Sequence, residues 1–185
     1  VKTSEIYIMV CRAFAVSFAF APTKKLFDEI KKNPKWILQS ESEANKLGND
    51  LYKDALNRED VRFIKDDFEL LKKYFAASFF FKNEGEILTK LYTKCGFLPN
   101  LNSSYIDSLT NEFSFLAALF NLPSNKERNE TIAIFLGIHL LPLIDRLAEI
   151  LQNKAKSSYY KAFGYFLKDF SQNFELNFKI KAIKR

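Results

Sequence analysis

The chain has 185 residues, 48% of them hydrophobic, and its 20 Phe and 8 Tyr against one Trp and one Met predict a ring-filled core of one domain or of two unequal lobes. Five Gly and five Pro are too few for a turn-rich β-sandwich and fit long helices with short connectors, while two Cys in unrelated contexts and a single His exclude a Cys/His zinc set and suit a reduced, cytoplasmic protein. The net charge of +6 comes from lysines interleaved with acids in every segment, concentrated only in the tail NFKIKAIKR, which describes a solvated surface better than a nucleic-acid stripe.

Residues 4–20 read as a helix with Ser4 as its cap and Pro22 as its stop. Its apolar part, IYIMVCRAFAVSFAFA (6–21), is interrupted by Arg12 and is shorter than the roughly 20 apolar residues of a bilayer span, so a buried helix is expected. Thr23 caps a second helix, KKLFDEIKK, which Asn33-Pro34 stops. Residues 36–56 are helical but weakly apolar, which predicts an outermost helix. In REDVRFIKDDFELLKKYF (58–75), Val61, Ile64, Phe68, Leu71 and Phe75 keep the three–four spacing of one buried helical face. A break is expected around residues 83–85, then a helix over 86–95 ended by Gly96 in the C-cap role.

FLPNLNSS (97–104) has the composition of an interior linker, after which Ser103 or Ser104 would cap a helix over YIDSLTNEFSFLAALF (105–120). Ile106, Leu109, Phe113, Leu116 and Phe120 make its buried stripe. Yet Asp107 stands one turn before Asn111, and Glu112 lies beside the stripe among aromatics. The plain structural account gives Asp107 a place in the helix's first turn, favoured by the macrodipole, and Glu112 a Lys or Arg partner. NLPSNKERN (121–129) is a second linker. The helix from about 128 meets Pro142, which must kink or restart it before it runs on to about 153. The stretch TIAIFLGIHLLPLI (131–144) inside it is too short to span a membrane and contains His139 and Pro142. KAKSS breaks the chain, and 157–176 form a last amphipathic helix through Tyr159, Phe163, Phe166 and Phe170; LNFKIKAI (176–183) fits helix or tail equally. The fold class is all-α.

Recognisable reaction chemistry is missing. The glycines stand alone at 48, 85, 96, 137 and 164, so no phosphate-cradling loop exists, and no serine sits in a nucleophile elbow. The acids, Asp66-Asp67 included, form no spaced metal set. His139 stands among Ile138, Leu140 and Leu141 with no orienting acid or nucleophile assigned by the sequence, which favours a hydrogen-bonded core residue over a general base. No catalysed reaction, cofactor or metal is expected.

The order of the segments resembles the TorD/DmsD/NarJ family of cytoplasmic chaperones that mature molybdenum-containing redox enzymes. CRAFAVSFAFAPTKKLFDEI looks like the family's opening helix, an arginine and an aromatic-rich stretch followed by Pro and a Leu-Phe helix. DFELL (67–71) is similar to the Asp-aromatic-x-x-Leu piece, and FAASFF to the Pro-Tyr-Glu-Ser segment after it, with Ser78 kept and the proline lost. YTKCGF (92–97) is similar to the Tyr-x-x-x-Gly ending of the fifth-helix region. In the family's Pro-x-Asp-His-Leu-x-x-Glu-Leu-x-Phe-Leu, Asp107, Leu109, Glu112, Phe115 and Leu116 match, while Tyr105 replaces the proline and Ser108 the histidine. FLGIHLLPLIDRL carries Phe-x-x-x-His-Leu in Phe135, His139 and Leu140, with Leu143 where a tryptophan is common.

The resemblance implies one all-helical domain: an N-terminal lobe over about 1–98, a hinge at 97–104, C-terminal helices over about 105–176 and a basic tail over 177–185. It implies binding of a twin-arginine leader, or of the apo catalytic subunit of a molybdoenzyme, until the molybdopterin is inserted. No stable membrane insertion and no nucleic acid are implied; monomer and swapped dimer both occur among relatives. A twin-arginine leader needs an apolar groove with carboxylates at one end, since guanidinium and carboxylate pair through two hydrogen bonds. Asp107, Ser108 and Glu112, with Phe135 and His139 across the groove, are the candidate peptide-binding residues. Two rivals are a basic helical nucleic-acid-binding or regulatory protein, and a helical hydrolase or transferase with His139 as base.

Overall fold

Regular structure is helical throughout residues 3–100 and 105–184, the part of the chain that the computed structural model describes. The helices are α1 (Thr3–Ala19), α2 (Lys24–Lys32), α3 (Glu43–Arg58), α4 (Val61–Leu71), α5 (Glu84–Lys94), α6 (Leu109–Asn121), α7 (Lys126–Phe135), α8 (Leu141–Lys154) and α9 (Ser158–Phe178). A π-helical segment, Leu136–Leu140, joins α7 to α8, and two 3₁₀ turns, Lys72–Tyr74 and Ala77–Phe79, follow α4. Among the described residues no strand forms; one antiparallel bridge pairs Ala76 with Ser108. The all-α reading holds.

Local chemistry explains most helix ends. The Thr23 hydroxyl accepts from the Leu26 N–H (3.2 Å), as expected for a cap. Gly96 has φ +66°, and the Gly96 and Phe97 N–H groups return to the carbonyls of Thr93 and Tyr92, a Schellman closure that a Cβ would strain. Three expectations fail. Ser4, expected as a cap, lies inside α1, which already includes Thr3. The helix expected over 36–56 starts only at Glu43, because the Ser42 hydroxyl caps it through the Asn45 N–H (3.0 Å). The helix expected from 105 starts at Leu109, capped by Ser108 and not by Ser103 or Ser104, two positions that lie outside the described residues.

The fold divides into two compact units. One comprises α1, residues 73–143 and the last residues from Ala182; the other comprises residues 20–72 and 144–181. Each draws on both stretches that the sequence assigned to separate lobes, because α1 packs on α6 and α3 packs on α9. Of the expected hinge, residues 97–100 are irregular and 101–104 lie outside the described residues.

In the first unit, Phe14 of α1 stacks on Phe113 of α6 with centroids 4.7 Å apart, and Tyr7 stacks on Phe120 at 5.7 Å. Burying a Phe contributes about 1.5–3 kcal/mol, and an offset ring pair adds about 1 kcal/mol.

In the second unit, α3 is not an outer helix: Ala44, Asn45, Gly48, Tyr52, Ala55 and Leu56 are buried against α9. Small residues alternate on that face with Tyr52, whose ring packs on Tyr159, Phe163 and Phe166, and with Leu56. A Cβ on Gly48 would stand 2.6 Å from Cε1 of Phe166, a fully buried ring stacked on Trp36 at 4.8 Å. Gly48→Ala is therefore expected to lower stability by about 1–2 kcal/mol, overpacking outweighing the gain in helix propensity. A urea titration checks this; a variant at least as stable as the parent would show that the ring can move aside freely.

The N-terminus of α9 is held by two acids. The Asp67 carboxylate accepts from the Ser157 N–H (2.8 Å), the Ser157 hydroxyl (2.7 Å) and the Lys156 N–H, and Glu59 accepts from the Ser158 N–H (2.6 Å). Negative charge belongs there, against the positive end of the helix dipole. Asp67 of DFELL thus has a structural use. The run Lys126–Lys154 is long and apolar enough by composition to cross a bilayer, but 67% of its most apolar window is buried in the fold, as in the core helix of a soluble protein.

Candidate functional site

The five candidate residues all lie in the first unit, and all are buried: Asp107 is 3% exposed, Ser108 5%, Glu112 0%, Phe135 0% and His139 6%. Four of them join one polar–aromatic cluster. Ser108 takes a different role, its hydroxyl accepting from the Asn111 N–H as the cap of α6.

Asp107 ties α6's entry to the turn after α4. Its carboxylate accepts from the Ser78 N–H (2.5 Å) and its carbonyl from the Ala77 N–H (2.8 Å), while the Leu109 N–H donates to the Phe75 carbonyl (2.7 Å). It lies before the cap, outside the helix's first turn, so the macrodipole does not account for it. Asn111, one turn on, donates through Nδ2 to the carbonyls of Tyr105 (2.8 Å) and Asn100 (3.1 Å) and accepts from the Asn100 N–H (2.9 Å). The two residues together fix the backbone on both sides of positions 101–104.

His139 gains the orienting acid that the sequence did not assign. Its Nδ1 lies 2.5 Å from Oε1 of Glu84, in the first turn of α5, and both side chains are buried. The His139 ring stacks on Phe135 at 6.0 Å, Phe135 meets Phe115 edge-on at 4.9 Å, and Phe115 meets Tyr92 at 4.9 Å. Burial first, then the charges of Glu112, Asp107 and Glu84, hold the Tyr92 phenol well above its ordinary value. Tyr92 thereby marks the point that all three carboxylates sense.

Glu84 and Tyr92 are the members that site reasoning from the sequence missed. Tyr92 had a signal, as the first residue of YTKCGF. Glu84 had none, since it fell in the break expected at 83–85 and only the structure places it in the first turn of α5.

Three carboxyl groups and an imidazole are thus gathered in the buried interior of one unit of a chain that is otherwise basic. Among the described residues no group of three His, Cys, Asp or Glu side chains is placed to hold a metal ion, and no hydroxyl or thiol hydrogen-bonds the His139 ring. Comparison with models of known protein families and with curated proteins finds no match to this chain.

Proposed function

We propose that the protein is a cytoplasmic, non-enzymatic maturation chaperone of the TorD/DmsD/NarJ kind, which holds the twin-arginine leader or apo form of a molybdoenzyme until cofactor insertion. The observation that carries this reading is the convergence of the resemblance-bearing pieces. Ser78, Tyr92, Asp107, Glu112, Phe135 and His139 come from stretches up to 61 residues apart, and they meet through direct bonds, ring contacts and shared electrostatics in one unit. Such a set serves a common core better than a coincidence of composition.

The rival basic-surface reading has less support. Lys32, Lys46, Lys72, Lys126 and Lys181 each lie beside a glutamate, so opposite charges are interleaved at these points of the surface. Titration calorimetry with a synthetic twin-arginine leader is the test. Binding that weakens with salt, and fails when both arginines become glutamine, is the expected result. A folded protein that binds no such leader, and retains duplex DNA or RNA instead, would replace this reading with the rival one.

A further inference from the structure

The π-helical segment and the chain's basic end meet at one atom. In the π register the Leu141 N–H bonds to the Leu136 carbonyl, five residues back. The next donor in that register is residue 142, whose partner would be the Gly137 carbonyl. Residue 142 is proline and has no N–H. The widened turn also relieves the clash that Pro142 would cause in a plain α-helix, so the helix continues through Lys154 without a break. The cost is a main-chain acceptor at Gly137 with no donor in sequence.

That acceptor is filled from the far end of the chain. After α9, Lys179 turns the backbone with φ +56°, and the Ile183 N–H then donates to the Gly137 carbonyl at 2.8 Å. The residues from Ala182 belong to the same compact unit as Gly137. Ile183 is 54% exposed, Lys184 is exposed, and residues 179–184 have no regular structure. The segment Lys179-Ile180-Lys181-Ala182-Ile183-Lys184 intersperses three cationic with three apolar side chains. In chemistry it matches the ligand proposed above: cationic groups beside an apolar run, offering backbone N–H groups when extended.

We propose that the Gly137 carbonyl, opened by the π segment and Pro142, is a main-chain acceptor for an extended basic–apolar peptide, and that residues 182–184 occupy it until such a peptide displaces them. The proposal rests on the leader-peptide reading for the identity of the displacing ligand. It adds a position on the same helical run as Phe135 and His139, where recognition uses backbone and not a side chain. The tail is then an internal competitor: it lowers apparent affinity by the fraction of time it is seated.

The test uses the full chain, the Ile183→Pro variant, and a synthetic leader with paired arginines and an apolar run. The substitution removes the one N–H and keeps every lysine. Hydrogen exchange of the full chain alone should slow the Ile183 amide about tenfold relative to an unstructured peptide, and adding the leader should abolish that protection. Ile183→Pro should bind the leader about tenfold more tightly, the same factor as the protection it removes. An Ile183 amide that exchanges at the unstructured rate in the free protein overturns the strap whatever the leader does. A leader that binds both forms equally and leaves Ile183 protected overturns the strap while the chaperone reading stands. A leader that binds neither form counts against the chaperone reading. The strap is then judged by a peptide copy of residues 179–185 added to Ile183→Pro: slowed exchange across 136–141 sustains it, and unchanged exchange overturns it.

Discussion

Asp169→Ala should be among the most destabilising single substitutions in the second unit, lowering its stability by about 3–5 kcal/mol. Asp169 is fully buried, and among the described residues no lysine or arginine forms a salt bridge with it. Four hydrogen bonds hold its carboxyl group. Oδ1 accepts from the Ser40 hydroxyl (2.5 Å), the Ser42 hydroxyl (2.6 Å) and Asn173 Nδ2 (3.1 Å), and Oδ2 accepts from Asn45 Nδ2 (2.8 Å). Each bond to a charged acceptor is worth about 1.5–3 kcal/mol, but the four are not additive and the serines can turn to water. Alanine leaves the Asn45 amide with one partner fewer in a buried site, where it also donates to the Leu38 carbonyl (2.7 Å). It frees the Ser40–Ser42 stretch as well, which fixes the start of α3 through the Ser42 cap. Urea denaturation of parent and variant measures the loss. Asp169→Asn should recover part of it by keeping an acceptor oxygen. A drop below 1 kcal/mol in Asp169→Ala would mean that water replaces the carboxylate, and that α3 and α9 are held by their packing alone.

Asp169 also illustrates where sequence reading stops. Between Lys168 and Phe170 it looks like a solvent-facing acid of an amphipathic helix; its burial depends on Ser40 and Ser42, about 130 residues away. Features written in adjacent residues were legible: the break before α5, Gly96 closing its far end, Thr23 capping α2, and helix from α7 through α8. The π segment was legible only as trouble at Pro142, because the remedy lies in the hydrogen-bond register and not in composition. The position of α3 was misjudged because weak apolarity was equated with exposure. Gly48 and Ala44 bury that helix by letting α9 approach, a mechanism that hydrophobic counting cannot detect.

The same limit shaped the candidate site. Of Ser103, Ser104 and Ser108, any could cap a helix by composition. Ser108 does so because Asp107 is anchored to Ser78, and the Leu109 N–H to Phe75, contacts made 29 and 34 residues back along the chain. Glu84 finds His139 across 55 residues. Sequence singled out acids that were out of place for a core helix, and their burial answers why they looked so. It could not show that Asp107 is committed to a backbone donor inside the fold.

That commitment changes what an Asp107 substitution should do. Asp107→Ala removes the acceptor of the Ser78 N–H at 2.5 Å and loosens the junction between the Ala77–Phe79 turn and the start of α6. A charged acceptor lost from a buried junction should cost about 2–3 kcal/mol of stability, so weaker peptide binding by that variant alone would not separate recognition from folding. Asp107→Asn separates them. The amide keeps an oxygen for Ser78 and nearly the same shape, and should lose no more than about 1 kcal/mol. It removes the negative charge that a guanidinium would sense. If the leader's arginines are drawn by the buried acids, Asp107→Asn should bind the twin-arginine peptide about tenfold more weakly, near 1.4 kcal/mol, with a shallower salt dependence. Calorimetry at two salt concentrations, beside a urea titration of each variant, reads both quantities. Unchanged affinity in a stable Asp107→Asn would assign Asp107 wholly to the junction with Ser78. Recognition by charge would then have to come from Glu84 or Glu112, which share its field at Tyr92.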